Sequence, residues 1–181
     1  MKKIGYLLIL FSLICACASK TVKPIKLWPY EEKAIILELK ASNKLNLYEE
    51  IPHTLVICVY QLKDPNAFNQ YIEDEEGIIH LLECNRFDES VMGFKKLVIQ
   101  PGEEQKAILD RAENARYVGI VAGYYNLEKE QVIRLYNIPL IEEKKGFIMR
   151  KKIIKPGILN VKLALGPYGL EKEKQKKEGK K

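Results

Sequence analysis

Chemistry in this 181-residue chain would have to come from few side chains. There are two histidines, His53 and His80, and four cysteines, Cys15, Cys17, Cys58 and Cys84. Neither histidine lies in an HxH or HExxH spacing that would put two nitrogens on one metal ion. The acidic run Glu73-Asp74-Glu75-Glu76 could in principle gather oxygens around Ca²⁺. It lacks the alternating oxygen ligands and the placed glycine of an EF-hand loop, so it reads as a solvated helix end. No Gly-rich phosphate loop follows a strand, and no serine sits in a GxSxG elbow. The residue types therefore point to an interaction protein without catalytic residues, cofactor, metal or small-molecule substrate.

Cys15 and Cys17 close an apolar run and could be a redox pair, half a metal site, or a mark for processing. Their surroundings favour processing. Lys2 and Lys3 precede Ile4–Ile14, a run broken only by Gly5 and Ser12 and about half the ~20 residues that a spanning helix needs. A basic start and a short apolar core make a secretory signal peptide. Ile14, before Cys15, is too large for a cleavage site, whereas Ala16, before Cys17, fits. The segment Ile14-Cys15-Ala16-Cys17 resembles a bacterial lipobox. That resemblance implies a signal peptide over 1–16, loss of Cys15, and a diacylglycerol on the Cys17 sulfur with an acylated new N-terminus; an ordinary secreted protein is the alternative. Two or more acyl chains hold a protein on its membrane where one does so only reversibly. Ala18, where retained lipoproteins carry Asp, resembles Gram-negative lipoproteins sent to the outer membrane.

Residues 17–32 read as a lipidated tether, with Pro24 and Pro29 and no hydrophobic period. A flexible stretch of ~14 residues spans roughly 20 Å, which keeps the body near the membrane face. Trp28 and Tyr30 are expected to pack on that body. The formal charge of +6 falls to +4 without Lys2 and Lys3, and Glu171–Lys181, with six Lys and three Glu, holds three of those four. The body is thus nearly neutral. A sequence pI near 9 therefore does not indicate nucleic acid, because the charge is not patterned on a folded face. Residues 167–181 read as a basic disordered tail, and 33–166 as one domain.

Strand signals dominate that domain. Ala34–Lys40 alternates, with Ile35, Leu37 and Leu39 on one face. Leu55–Leu62 is apolar on both faces and reads as central. Lys96–Ile99 stops at the Pro101-Gly102 turn, and Tyr117–Tyr125 carries Gly119 and Gly123, which mark close backbone approach or a bulge. Val132–Ile138, Gly146–Ile154 and Ile158–Leu165 follow. Between the second and third strands, a helical insertion over about 64–92 starts at Asp64-Pro65-Asn66, with Asp as cap and Pro at the first helical position. Seven or so short strands spaced by turns predict a β-sandwich. Cys58 and Cys84 either pair, closing a loop of ~27 residues worth roughly 3–4 kcal/mol, or stay as buried thiols.

The order of features from Asn46 onward resembles the type VI secretion lipoproteins, the TssJ family. Asn46, Pro52 and LVICVYQL (55–62) are similar to that family's Asn, Pro and apolar V-x-V-Y-Q-L strand. Phe68, Leu81-Leu82, Leu97, Pro101-Gly102, Asp110 of ILD (108–110) and YVGIVAGYYNL (117–127) follow in order. The likeness covers roughly 34–140. It implies a transthyretin-like β-sandwich of two antiparallel sheets with a small helical insertion, tethered to the periplasmic face of the outer membrane. It also implies a scaffold without enzymatic activity that binds the periplasmic C-terminal domain of the inner-membrane component TssM.

A main contact of the family, the loop between the first two strands, maps onto 47–54. The candidate partner-binding residues are Leu47, Tyr48, Glu49, Glu50, Ile51, Pro52 and His53. Tyr48 and Ile51 are of the kind that anchor interfaces, and Pro52 stiffens the loop before binding. Glu49 and Glu50 would steer toward a basic patch. Alternatively, Tyr48 and Ile51 fold back on the sandwich. The rival function is a periplasmic lipoprotein that binds a small ligand or lipid within the sandwich.

Overall fold

A computed structural model describes residues 28–145 and 151–171. The signal segment, the lipobox with Cys15 and Cys17, the tether up to residue 27, residues 146–150 and the tail from 172 lie outside the described residues. Among those described, no helix is long and apolar enough to cross a membrane.

The elements in chain order are β1 (Glu31–Ala41), β2 (Leu55–Leu62), α1 (Asn66–Tyr71), α2 (Glu75–Leu81), β3 (Val91–Ile99), β4 (Glu104–Arg111), β5 (Tyr117–Ala122), α3 (Lys129–Val132), β6 (Ile133–Asn137), β7 (Leu140–Lys145), β8 (Lys151–Pro156) and β9 (Leu159–Leu165). They form a three-stranded sheet β4-β1-β9, a four-stranded sheet β3-β2-β5-β6, and a separate pair β7-β8. The first two make the expected sandwich. Period-two alternation puts Ile35, Leu37 and Leu39 of β1 and Leu159, Val161, Leu163 and Leu165 of β9 inside, against Leu55 and Ile57 of β2 and Ile120 of β5. These residues belong to one continuous apolar core.

β2 is buried on both faces, as its unbroken apolar run requires. Its outer face meets the helical insertion. Tyr60 donates to the Leu81 carbonyl at 2.5 Å, and burial pushes its phenol pKa up to about 12. Gly119 makes room on β5, since a Cβ there would stand 2.8 Å from the Phe68 ring of α1. Cys58 and Cys84 are joined by a disulfide, Cα–Cα 5.3 Å, tying β2 to the end of the insertion. The acidic run has structural work. Asp74 caps α2 by accepting from the Gly77 N–H at 2.7 Å, Glu75 and Glu76 occupy the first turn, and Glu73 pairs with Lys129 at 2.7 Å. Asp64 accepts from the Asn66 N–H, and Pro65 is the cap residue of α1, so the helix starts one position later than the sequence suggests.

Several expectations change. β1 and β9 pair in parallel, Ile35 opposite Leu159 through Ala41 opposite Leu165, so that sheet is mixed and not purely antiparallel. β6 already ends where β1 begins, and the β7–β8 hairpin leaves from and returns to that same place, so β9 starts there and runs alongside β1. β4 alternates in burial, but its residue types do not follow, because Ile108 faces out while Arg111 is buried, and its sequence gives little strand signal. The strand expected over Gly146–Ile154 is Lys151–Pro156 within the described residues. Trp28, inside the expected tether, is already packed on the domain. Trp28 is buried under the Arg116 guanidinium, and its carbonyl accepts from Asn114 N–H at 2.8 Å. Folded structure also continues past Leu165, inside the expected tail. Leu170 is buried, with N–H to Gln131 O at 2.8 Å and its carbonyl held by Arg134 at 2.6 Å.

The sandwich consequently has two distinct ends. At one, the entering chain meets the 112–116 loop and the β8–β9 turn, and Arg111 reaches both the Pro29 carbonyl at 3.0 Å and the Gly157 carbonyl at 3.4 Å. Lying at the other end are the loops after β1, β3, β5 and β9. At the first of these ends, the Gln61 amide crosses from β2 to the opposing sheet. Its Nε2 donates to Asp110 O at 2.9 Å and its Oε1 accepts from Ala112 N–H at 2.7 Å. Replacing it by Leu leaves two backbone groups without partners, each worth about 1–3 kcal/mol. Gln61→Leu should therefore lower unfolding free energy in urea by about 2–4 kcal/mol with unchanged far-UV circular dichroism; a loss below about 0.5 kcal/mol would contradict the bridge.

Candidate functional site

The segment after β1 is fixed before it reaches the candidate residues. Ala41 N–H bonds to Glu103 O and Ser42 N–H to Leu165 O, both at 2.8 Å, so the loop leaves from the junction of both outer neighbours of β1. Gly102, at φ 77°, closes the Pro101-Gly102 turn beneath it and donates to Ser42 O at 3.0 Å. Leu45 is fully buried and pins the next residue, Asn46, inside.

Asn46 is the clamp of the loop. Its side chain is 4% exposed and its backbone left-handed, φ 46°. The Nδ2 donates to Thr54 O at 3.2 Å, joining the two ends of the loop, and the Oδ1 accepts from Tyr125 N–H at 3.0 Å, joining it to the β5–β6 connection. His53 N–H bonds to Leu45 O at 2.9 Å, Leu47 N–H to Pro167 O at 2.8 Å, and Thr54 Oγ1 to Gln100 Oε1 at 2.9 Å. Four loops are thereby fastened into one surface.

From this base Tyr48 and Ile51 pair across a two-residue turn, with N–H···O distances of 3.0 and 2.9 Å. Both turn residues, Glu49 and Glu50, have positive φ, 48° and 63°. That is the geometry of a primed hairpin turn, which ordinarily selects Asn-Gly or Asp-Gly. An L-residue with a long side chain costs roughly 1–2 kcal/mol there, so the tip is held against its own preference.

The Tyr48 ring stacks on Tyr125, with centroids 4.3 Å apart and planes at 16°. His53 meets Tyr125 edge-on at 5.1 Å and 71°. Even so, Tyr48, Tyr125 and Ile51 remain 47%, 55% and 59% exposed. Glu49, Glu50 and Pro52 are exposed, and Leu47 and His53 half-buried. Among the described residues Glu49 and Glu50 make no ion pair, and no group of His, Cys, Asp and Glu could hold a metal ion. His80 is elsewhere, stacked on Tyr71 at 5.0 Å.

The loop can thus present a braced aromatic pair, an exposed isoleucine and two acids, without a reacting centre. Tyr125 is the member that sequence reasoning missed. It sits within a tyrosine pair after a strand, and only the Asn46 contact brings it under Tyr48.

The chain matches the family model described as type VI secretion lipoprotein (SciN, VasD, EvfM, TssJ) over residues 33–155. It belongs to that family. The TssJ match takes in the 47–54 loop, the Gln61 bridge and both strands of the β7–β8 pair. Membership makes the protein a structural lipoprotein of the type VI secretion system, membrane-bound and not an enzyme. No curated protein matches. Solved structures of similar fold include the T6SS lipoprotein TssJ1 of Pseudomonas aeruginosa, at 18% identity, TM-score 0.54, covering 77% of this chain and 94% of that one. Serratia marcescens Lip, a membrane-bound component of the type VI secretion system, is similar at 20% identity and TM-score 0.57, over 77% and 95%. A chain of a type VI membrane complex is similar at 17% identity and TM-score 0.55, over 78% and 98%.

The strained tip yields a test. Glu50→Gly removes the left-handed penalty of about 1 kcal/mol and should raise the melting temperature by roughly 2–5 °C. Glu50→Val should lower it, since a β-branched residue tolerates that φ least. A thermal scan in which the glycine variant melts no higher than wild type would count against a strained turn.

Proposed function

We propose that this TssJ-family lipoprotein is anchored to the periplasmic face of the outer membrane through acylated Cys17 and uses its 47–54 loop to hold the periplasmic C-terminal domain of TssM. The observation that carries the reading is the exposed Tyr48–Tyr125 stack beside Ile51, on a loop braced by the Asn46 amide. Aromatic anchors pre-set in their bound geometry lose little entropy on association. Glu49 and Glu50 flank them and favour a basic partner surface, raising the association rate more than the affinity. A chain of similar fold in a type VI membrane complex is consistent with this role. The rival reading, a ligand held within the sandwich, gains no support from an interior filled by the apolar core. A depression along Phe94 and Ile108 and another along His53 and Tyr125 both open to solvent.

Two experiments separate the parts of this proposal. Cys17→Ala should keep the fold, by circular dichroism, yet leave the outer-membrane fraction and remove lipid labelling. A variant that still sediments with outer membrane and still labels would refute the anchor. Replacing Tyr48 and Ile51 together by Asp should weaken binding to the TssM domain by about 2 kcal/mol or more, roughly thirtyfold. Unchanged affinity in titration calorimetry, with the fold intact, would exclude this surface.

A further inference from the structure

The β7–β8 pair takes no part in either sheet of the sandwich and pairs with no other strand among the described residues. A two-stranded ribbon without a third strand is marginally stable in water, and this one carries an added burden. Its register sets Lys144 opposite Lys152 and Lys145 opposite Lys151. Like charges directly opposite each other across a ladder are destabilising. The two strands hold five Lys against two Glu, and one of those pairs, Lys155 with Glu143 at 2.8 Å, is internal to the hairpin. At its base are apolar side chains left in the open: Leu140 is 53% exposed, Ile141 44%, and Ile158, just beyond β8, 55%.

The position of that base is equally informative. Gly157 N–H bonds to Pro139 O at 2.7 Å, closing the hairpin where Arg111 holds Gly157 O. The same guanidinium holds the Pro29 carbonyl, so the hairpin base and the point where the N-terminal segment joins the fold share one arginine. From Trp28 back to Cys17 the sequence counts eleven residues, a chain that reaches no more than about 40 Å at full extension. A lipid on Cys17 would keep this end of the sandwich against the bilayer, and even a weak surface contact is then favoured by proximity.

We propose that the β7–β8 hairpin is a second membrane contact, in which its lysine pairs take the anionic phospholipid headgroups of the bilayer that holds the anchor. The contact rests on the reading that Cys17 is acylated. With the hairpin on the bilayer, the loop at 47–54, at the opposite end of the sandwich, faces away from the membrane toward the periplasm.

The test uses the lipidated full mature chain in vesicles of phosphatidylcholine alone, or mixed with phosphatidylglycerol. Amide hydrogen exchange within Leu140–Lys145 and Lys151–Pro156 should slow about tenfold or more in the anionic vesicles, because each Lys at such a surface contributes severalfold. The difference should vanish near 1 M salt, where the screening length is about 3 Å. Joint substitution K144Q/K145Q/K151Q/K152Q should abolish it, with exchange in the 47–54 loop unchanged as a check on folding. Changing the six tail lysines to Gln should leave it in place.

Equal hairpin exchange in the two vesicle types would overturn the proposal. So would slowing that disappears with the tail lysines, or protection that arises only when an acidic protein is added. The intact mass reports separately whether Cys17 carries lipid, so a failed anchor and a failed hairpin contact are told apart.

Discussion

The sandwich is held in register by one side-chain amide. Sheets packed face to face ordinarily touch through apolar side chains, which resist sliding only weakly because the hydrophobic effect is non-directional. Gln61 adds direction. Its two bonds to Asp110 O and Ala112 N–H fix where β4 lies over β2. That position in turn places Asp110, whose carboxylate accepts from Tyr30 Oη at 2.5 Å and from Lys33 N–H at 2.8 Å. Those bonds, the tyrosine's first, hold its carboxyl below the usual carboxylate range. Lys33 is at φ 53° in a bulge of β1, so the same acid steadies the irregular start of the first strand. One amide thus orders the sheet pairing, the strand beside it and the entry of the chain.

Asn46 repeats the device at the far end. Again a primary amide completes backbone groups of segments that no ladder joins, here Thr54 and Tyr125. A carboxamide suits both places because it offers a donor and an acceptor together and carries no charge whose burial would be costly. Arg111 is the contrasting case. It is 1% exposed, it bonds only to carbonyls, and desolvation lowers its pKa. A buried guanidinium with neutral partners is an expensive way to join Pro29 to Gly157, and it bridges the chain's entry point and the hairpin base.

Much of this could be read from residue types. The alternation in Ala34–Lys40 and Ile158–Leu165 specifies one buried face, and a one-residue slip would expose every leucine, so those strands are legible. The start of the insertion is legible from Asp64-Pro65-Asn66, whereas the cap that Asp74 supplies to α2 is not. β4 was hidden because its inward positions end in a buried arginine while Ile108 faces solvent, inverting the pattern that marks a strand. The parallel placement of β9 depends on the end of the sandwich at which β6 finishes, a matter of topology that no local period records. Within the candidate loop, Tyr48 and Ile51 were visible as apolar residues among turn formers. Tyr125 was not, because its partnership with Tyr48 spans more than half the domain and is made through the Asn46 side chain.

On the proposal that this loop meets a partner, the strain at Glu49 and Glu50 serves contact and not stability. Nothing about a loop between β1 and β2 requires a two-residue turn with two left-handed glutamates. Asn-Gly would close the same turn without the penalty. What glutamate adds is charge at the outermost point of a surface otherwise made of rings and an isoleucine. Unfavourable backbone conformations persist where the surroundings over-determine them, and here the Tyr48–Ile51 pair, the Asn46 clamp and the Tyr125 stack all do so. A flexible loop could carry the same side chains at no conformational cost, but it would have to be ordered on binding. Holding it ordered beforehand moves that cost from association to folding, where the core of the sandwich offsets it.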